Sequence, residues 1–140
     1  MVCGLIPVLA TVPTAAAQCG RVDPGSAQQV IARIMAARSD ANLPAYQAQP
    51  RLARVAMAHA VRMARSGSIW HNDLASWANG KSAAQNVATG QSGTDAFQLM
   101  WNSPPHHQAL VSRKYRLMGV GAAVACDGSV MVAVDLTSAR

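Results

Sequence analysis

No glutamate occurs in the 140 residues; all six acids are aspartates, Asp23, Asp40, Asp73, Asp95, Asp127 and Asp135. Any general base or carboxylate metal ligand that is an acid must come from that short set. Aromatic side chains are also scarce, with one Phe, two Tyr and three Trp. The interior must therefore be built from Ala, Val, Leu and Met, with closely packed elements. No apolar run is long and unbroken enough to span a bilayer comfortably; residues 2–17 come nearest and are interrupted by Pro7 and Pro13. Internal repeats and low-complexity linkers are lacking too. What remains is one domain, large enough to bury a core without help from a metal.

Residues 2–17 are uncharged, apolar and small, and end in Ala15-Ala16-Ala17 before Gln18. They resemble the apolar segment and cleavage site of a secretory signal peptide, although no Lys or Arg precedes them. We expect 1–17 to be a signal peptide and 18–140 the mature domain, secreted or held at the cell envelope. Removing the signal removes Cys3 and leaves Cys19 and Cys126. An even pair in an exported chain predicts a disulfide; two buried thiols are the alternative.

The formal charge is +6, and ten of the twelve cations are Arg. That balance favours anionic partners without naming one. Part of it is patterned. Asp23-Pro24 predicts the start of a helix that fades near Ser39-Asp40, with Val30, Ile31, Ile34 and Met35 at helical spacing. A second helix is predicted from Pro50 to Arg65, stopped by Ser66-Gly67. Its apolar face holds Leu52, Ala53, Ala56, Met57, Ala60, Met63 and Ala64, while Arg51, Arg54, Arg62 and Arg65 form a stripe opposite. Such a stripe is ordinarily a solvated face; the sharper alternative is a surface for an envelope polymer or an anionic membrane. Nucleic acid is not expected, because no stacking aromatics are seen near these arginines and an exported chain rarely meets it.

Further along, a loop from Gly67 to Gly80 is expected to carry one helical turn at Asp73 to Trp77, and Gln85 to Ala88 a short strand. Gly93 or Thr94 is expected to cap a helix through Trp101, and Ser103-Pro104 to start another. Asp127-Gly128-Ser129 lies between the apolar runs Met118–Cys126 and Val130–Leu136, a strong hairpin signal.

Taken in order, these residues carry a resemblance. Arg38 ends the first helix, and Ala58-His59-Ala60-Val61-Arg62-Met63 lies in the second. His71, Gln85-Asn86-Val87-Ala88-Thr89-Gly90, Trp101, Ser103-Pro104-Pro105-His106 and Gly119-Val120-Gly121 follow. The set resembles the bacterial secreted branch of the CAP superfamily: cysteine-rich secretory, antigen 5 and pathogenesis-related 1 proteins, also called SCP-like. It covers roughly Ala27 to Leu136. The resemblance implies an α+β fold, a three-layer α-β-α sandwich with a C-terminal β-hairpin. It also implies a cavity that gathers two histidines and acidic residues, where some members bind a divalent metal.

His71 and His106 match the two histidines and Asn86 matches the motif asparagine. His59 matches a packing histidine of the second helix, and His107 a variable position. The cavity is thus expected to hold His71, Gln85, Asn86, Trp101, Ser103 and His106. The chain departs from the pattern where Gln85 replaces the motif glutamate, Ala84 a glycine, Met35 an asparagine and Pro105 a glycine. A Gln amide is a weak neutral ligand, so any zinc on His71 and His106 would be weakly held, and no resident cofactor is expected. Asp73 is the one acid expected nearby, in a capping role. No activated nucleophile is evident; Ser103 reads as a helix cap. We expect a monomeric, non-enzymatic protein that binds a small ligand, lipid or envelope partner through a degenerate His/Gln cavity. The alternative is a metal-assisted hydrolase using His71 and His106.

Overall fold

The computed structural model describes residues 10–12 and 19–139. The expected signal segment therefore lies outside the described residues, apart from 10–12, which form neither helix nor strand. Ten elements follow: β1 (Arg21–Val22), α1 (Pro24–Asp40), β2 (Gln47–Ala48), α2 (Pro50–Ser66), α3 (Ala75–Ala78), β3 (Ala83–Gly90), α4 (Gly93–Asn102), α5 (Pro104–Leu110), β4 (Leu117–Val124) and β5 (Val130–Thr137).

The helix ends follow local chemistry. Asp23 caps α1, its carboxylate accepting the Ser26 backbone N–H, with Pro24 at the first position. α2 begins at Pro50 behind the side chain of Gln49 and ends on Gly67, whose φ of 68° is the left-handed cap that glycine adopts readily. The cap of α4 is Ser92, whose hydroxyl accepts the Asp95 N–H, rather than the expected Gly93 or Thr94. Ser103 occupies the cap position of α5 but its side chain makes no capping bond.

The sheet runs β1-β4-β5-β3, with β2 on the same edge of β4 as β1. β3–β5, β4–β5 and β1–β4 pair antiparallel, and β2 pairs parallel to β4. β3 extends well beyond the expected 85–88, because all eight of its residues pair with β5. The two-residue strands β1 and β2 have no periodicity to read and were not anticipated.

The sheet alternates its side chains between two helical layers. On one face Val120, Ala122, Val132 and Val134 pack with Val30 and Ile34 of α1, Phe97 and Met100 of α4 and Leu110 of α5. On the other, Val87, Ala123, Met131 and Ala133 pack with Ala56, Ala60, Met63 and Ala64 of α2. This is the expected α-β-α sandwich with its C-terminal hairpin. Small residues let α2 approach closely: a Cβ on Gly119 or Gly121 would run into the α2 backbone at Leu52–Ala53 or Ala56–Met57.

Two devices tie the layers. Cys19 and Cys126 form the expected disulfide, joining the start of β1 to the β4–β5 turn across a sequence separation of 107. Arg38, buried without a carboxylate, donates from Nε to the Pro44 carbonyl at 2.8 Å and from Nη1 to those of Leu110 and Ser112 at 2.9 and 3.0 Å. Its guanidinium carbon lies 3.8 Å from the centroid of the Tyr46 ring. The Tyr46 hydroxyl in turn donates to the carbonyls of Ala109 and Leu110. Together they fix the C-terminal end of α1 to that of α5.

Candidate functional site

β3 is an edge strand, so its residues are covered from both layers at one rim of the sheet. Gln85 and Asn86 are adjacent and therefore point to opposite faces. Gln85 lies on the α2 side, cross-strand from Asp135. Its Nε2 donates to Asp135 Oδ1 at 2.7 Å, and its Oε1 accepts the Asn72 backbone N–H at 2.8 Å. Those two bonds determine which end of the amide is oxygen, because the reverse orientation would oppose donor to donor and acceptor to acceptor. Oε1 also lies 3.2 Å from Nδ1 of His71. Since Oε1 can only accept, the His71 proton sits on Nδ1 and Nε2 carries a free electron pair when the ring is neutral.

Asp135 has no solvent exposure. Burial pushes its pKa up to about 6, against the pull of the Gln85 hydrogen bond. Its second oxygen, Oδ2, is buried without a hydrogen-bond partner. The acid next to the site is thus Asp135, not Asp73. Asp73 accepts the Ala75 N–H and serves the turn into α3, as its expected capping role requires. The available signal for Asp135 was a lone charge inside the apolar run Val130–Leu136; only the β3–β5 register puts it opposite Gln85.

From the other layer, Asn86 Nδ2 donates to the carbonyl of His106 at 3.0 Å, holding the first turn of α5 against β3. The His106 ring is half-buried. Burial lowers its pKa first, and the neighbouring charge of His71 lowers it further. His71 is thus bonded to Gln85, and the His106 backbone is anchored through Asn86.

The other expected members have contacts of their own. The Trp101 ring is stacked on Phe97 at 5.6 Å and lies against His107 at 3.9 Å. It lines a groove of about 520 Å³ with Arg33, Asp40, Gln98 and Val111, between α1 and the α4–α5 pair. Ser103 is the α5 cap position. His59 is fully buried; its Nε2 donates to the Trp70 carbonyl and its ring meets that of Trp70 edge-on at 5.3 Å. Burial lowers its pKa, the packing role expected of it.

The arginine stripe is divided. Arg51 Nη1 donates to the Trp77 carbonyl at 2.8 Å and the exposed Arg62 donates from Nη2 to Asn72 Oδ1 at 3.0 Å, while Arg54 and Arg65 are exposed as well. The expectation that no aromatic ring lies near the stripe is corrected, since Arg62 and Trp70 both contact His59.

A divalent metal fits this donor set poorly. His71 and His106 supply two imidazoles, but Gln85 Oε1 already accepts two N–H groups and the Asp135 carboxylate lies behind the amide. Among the described residues no group of three or more His, Cys, Asp or Glu is placed to hold a metal ion. A zinc site ordinarily draws on three or four such ligands.

Among solved structures, the fold resembles an outer surface protein of Borrelia burgdorferi, with a TM-score of 0.75 and 17% identity over 86% of this chain and 98% of that one. It resembles an extracellular protein containing an SCP domain from Bacillus anthracis, with a TM-score of 0.70 and 24% identity over 83% of this chain. A cysteine-rich secretory protein from Staphylococcus aureus aligns with a TM-score of 0.66 and 20% identity, also over 83% of this chain. This chain spans only 41% and 39% of the length of the latter two. No curated protein matches the sequence. The family model described as the cysteine-rich secretory protein family, CAP, matches residues 31–135, spanning α2, the His71–Gln85–His106 rim and the β4–β5 hairpin, and the chain belongs to that family.

Proposed function

We propose that this chain is an exported binding protein rather than an enzyme. It takes a small ligand, a lipid or an envelope component at the polar rim formed by His71, Gln85, Asn86 and His106. One observation carries this reading: the Gln85 amide is buried and bonded at both ends, to Asn72 and His71 through Oε1 and to Asp135 through Nε2. An amide does not titrate. The residue that orients His71 therefore supplies neither a base nor an anionic metal ligand. His106, with its lowered pKa, is neutral near pH 7, so the rim offers imidazole hydrogen-bonding groups suited to recognition.

Export is supported by the Cys19–Cys126 bridge, which belongs to oxidising compartments, and by the signal-like residues 2–17. The extracellular and outer-surface descriptions of the structural neighbours point the same way. Among the described residues no helix is long and apolar enough to cross a membrane.

Metal-assisted hydrolysis through His71 and His106 is the second reading. It is favoured by the pinned Nδ1 proton of His71, which leaves Nε2 as an electron-pair donor. Isothermal titration of Zn²⁺ into the wild type and His106→Ala separates the two. Equal, flat traces support the binding protein; saturable heat in the wild type that vanishes in the variant supports the hydrolase and overturns the first reading.

A further inference from the structure

α2 shares its layer of the sandwich with the short α3, which packs on Leu52 at one end, and its outward side bears the exposed Arg54, Arg62 and Arg65. The helix carries four Arg and no acid. Arg51 is engaged with the backbone of α3, but Arg54, Arg62 and Arg65 are exposed, and none of the three is held to a carboxylate among the described residues. Arg62 also does structural duty: its bond to Asn72 draws the loop after α2 back along the helix.

That loop carries Ile69 and Trp70, 45% and 39% exposed, the one adjacent pair among the exposed large apolar side chains of the described residues. Trp70 is not a loose side chain. Its carbonyl accepts from buried His59 at 2.6 Å and its ring packs on the His59 ring. The fold thus holds an indole and a sec-butyl group in water, beside guanidiniums with no carboxylate partner among the described residues, in a chain with few aromatics to spare.

A dissolved polyanion would meet the arginines but leave Ile69 and Trp70 wet. The boundary between lipid headgroups and acyl chains meets both, because Trp and aliphatic side chains settle there while Arg pairs with phosphates. We propose that this face docks on an anionic phospholipid bilayer, with Arg54, Arg62 and Arg65 on lipid phosphates and Ile69 and Trp70 seated among the headgroups. The surface uses none of the ligand-binding rim, so the two readings stand or fall separately.

The test is co-sedimentation of the full chain with vesicles of equal parts phosphatidylcholine and phosphatidylglycerol, against phosphatidylcholine alone. Every variant shares the same leading segment, so differences between variants report this face. Binding should need phosphatidylglycerol. It should weaken roughly twenty-five-fold in the Arg54→Gln/Arg65→Gln double variant, at about fivefold per arginine, and several-fold in Ile69→Ser. Tryptophan emission should shift to the blue on binding, and the shift should be lost in Trp70→Phe, which keeps an aromatic ring on His59. Equal binding to neutral vesicles, or vesicle binding untouched by the arginine and Ile69 changes, would overturn the proposal. So would heparin binding that is indifferent to Ile69→Ser with no vesicle binding, which would assign the face to a soluble polyanion.

Discussion

The Gln85 amide nitrogen and one Asp135 carboxylate oxygen lie 2.7 Å apart inside the sandwich, where both residues are buried and Asp135 has no solvent exposure. The bond places the acid of this site one strand deeper than the amide that contacts His71. Buried charge is costly, and here only one of the two carboxylate oxygens has a partner.

The first consequence is a pH-dependent stability. With a pKa raised to about 6 from the ordinary 3.8, native Asp135 holds its proton more tightly than the unfolded chain does. Stability from this group is therefore greatest below pH 4, falls as pH rises through 4 to 6, and stays low above. The span is on the order of 3 kcal/mol. Urea unfolding at a series of pH values should show this slope in the wild type and lose it in Asp135→Asn. A slope that survives the substitution assigns it to another group.

Gln85→Glu sets two carboxylates against each other with one buried proton to share, so it should destabilise the fold at pH 7 by about 2–5 kcal/mol. Adding Asp135→Asn exchanges amide and acid across the same contact and should restore most of the loss. The double variant also puts an anionic oxygen beside His71. It should bind zinc more tightly than the wild type does, readable by isothermal titration.

Arg38→Lys should cost about 2–4 kcal/mol despite keeping the charge. An ammonium cannot reproduce the planar fork that serves Pro44, Leu110 and Ser112 while lying over Tyr46. Because the same contacts fix the end of α5, the NMR signal of the His106 ring should move as well. Melting temperature together with that signal checks both halves of the expectation.

Cys126→Ser should lower stability by about 4 kcal/mol, the chain-entropy value for a closed loop of this length. Denaturant midpoints of the variant and of the reduced wild type should agree. A midpoint unchanged on reduction would mean that hydrogen bonds flanking β1, such as Gly20 N–H to the Val124 carbonyl, hold that end without the bridge.

Much of this fold could be read from the chain. Asp23-Pro24, Pro50 and Ser66-Gly67 mark the ends of α1 and α2, and Asp127-Gly128 marks the hairpin, because caps and turns are local chemistry. The packing role of His59 follows from its place at the margin of an apolar helix face. The motif order brought out the family. What escaped was long-range. β1 and β2 are two residues each and exist only because the edge of β4 accepts them. The groove that Trp101 lines beside α1 depends on how α4 packs. Asp135 is a lone acid within the apolar run of the last strand, and only the β3–β5 register sets it opposite Gln85.

The bridge from Cys19 to Cys126 has one further effect. A protease that nicks any exposed loop between those positions, 67–74 included, leaves two fragments still tethered through sulfur. Outside a cell, where cleavage is common and reductants are scarce, a cut polypeptide of this kind keeps its pieces together, and a gel would reveal the damage only after reduction.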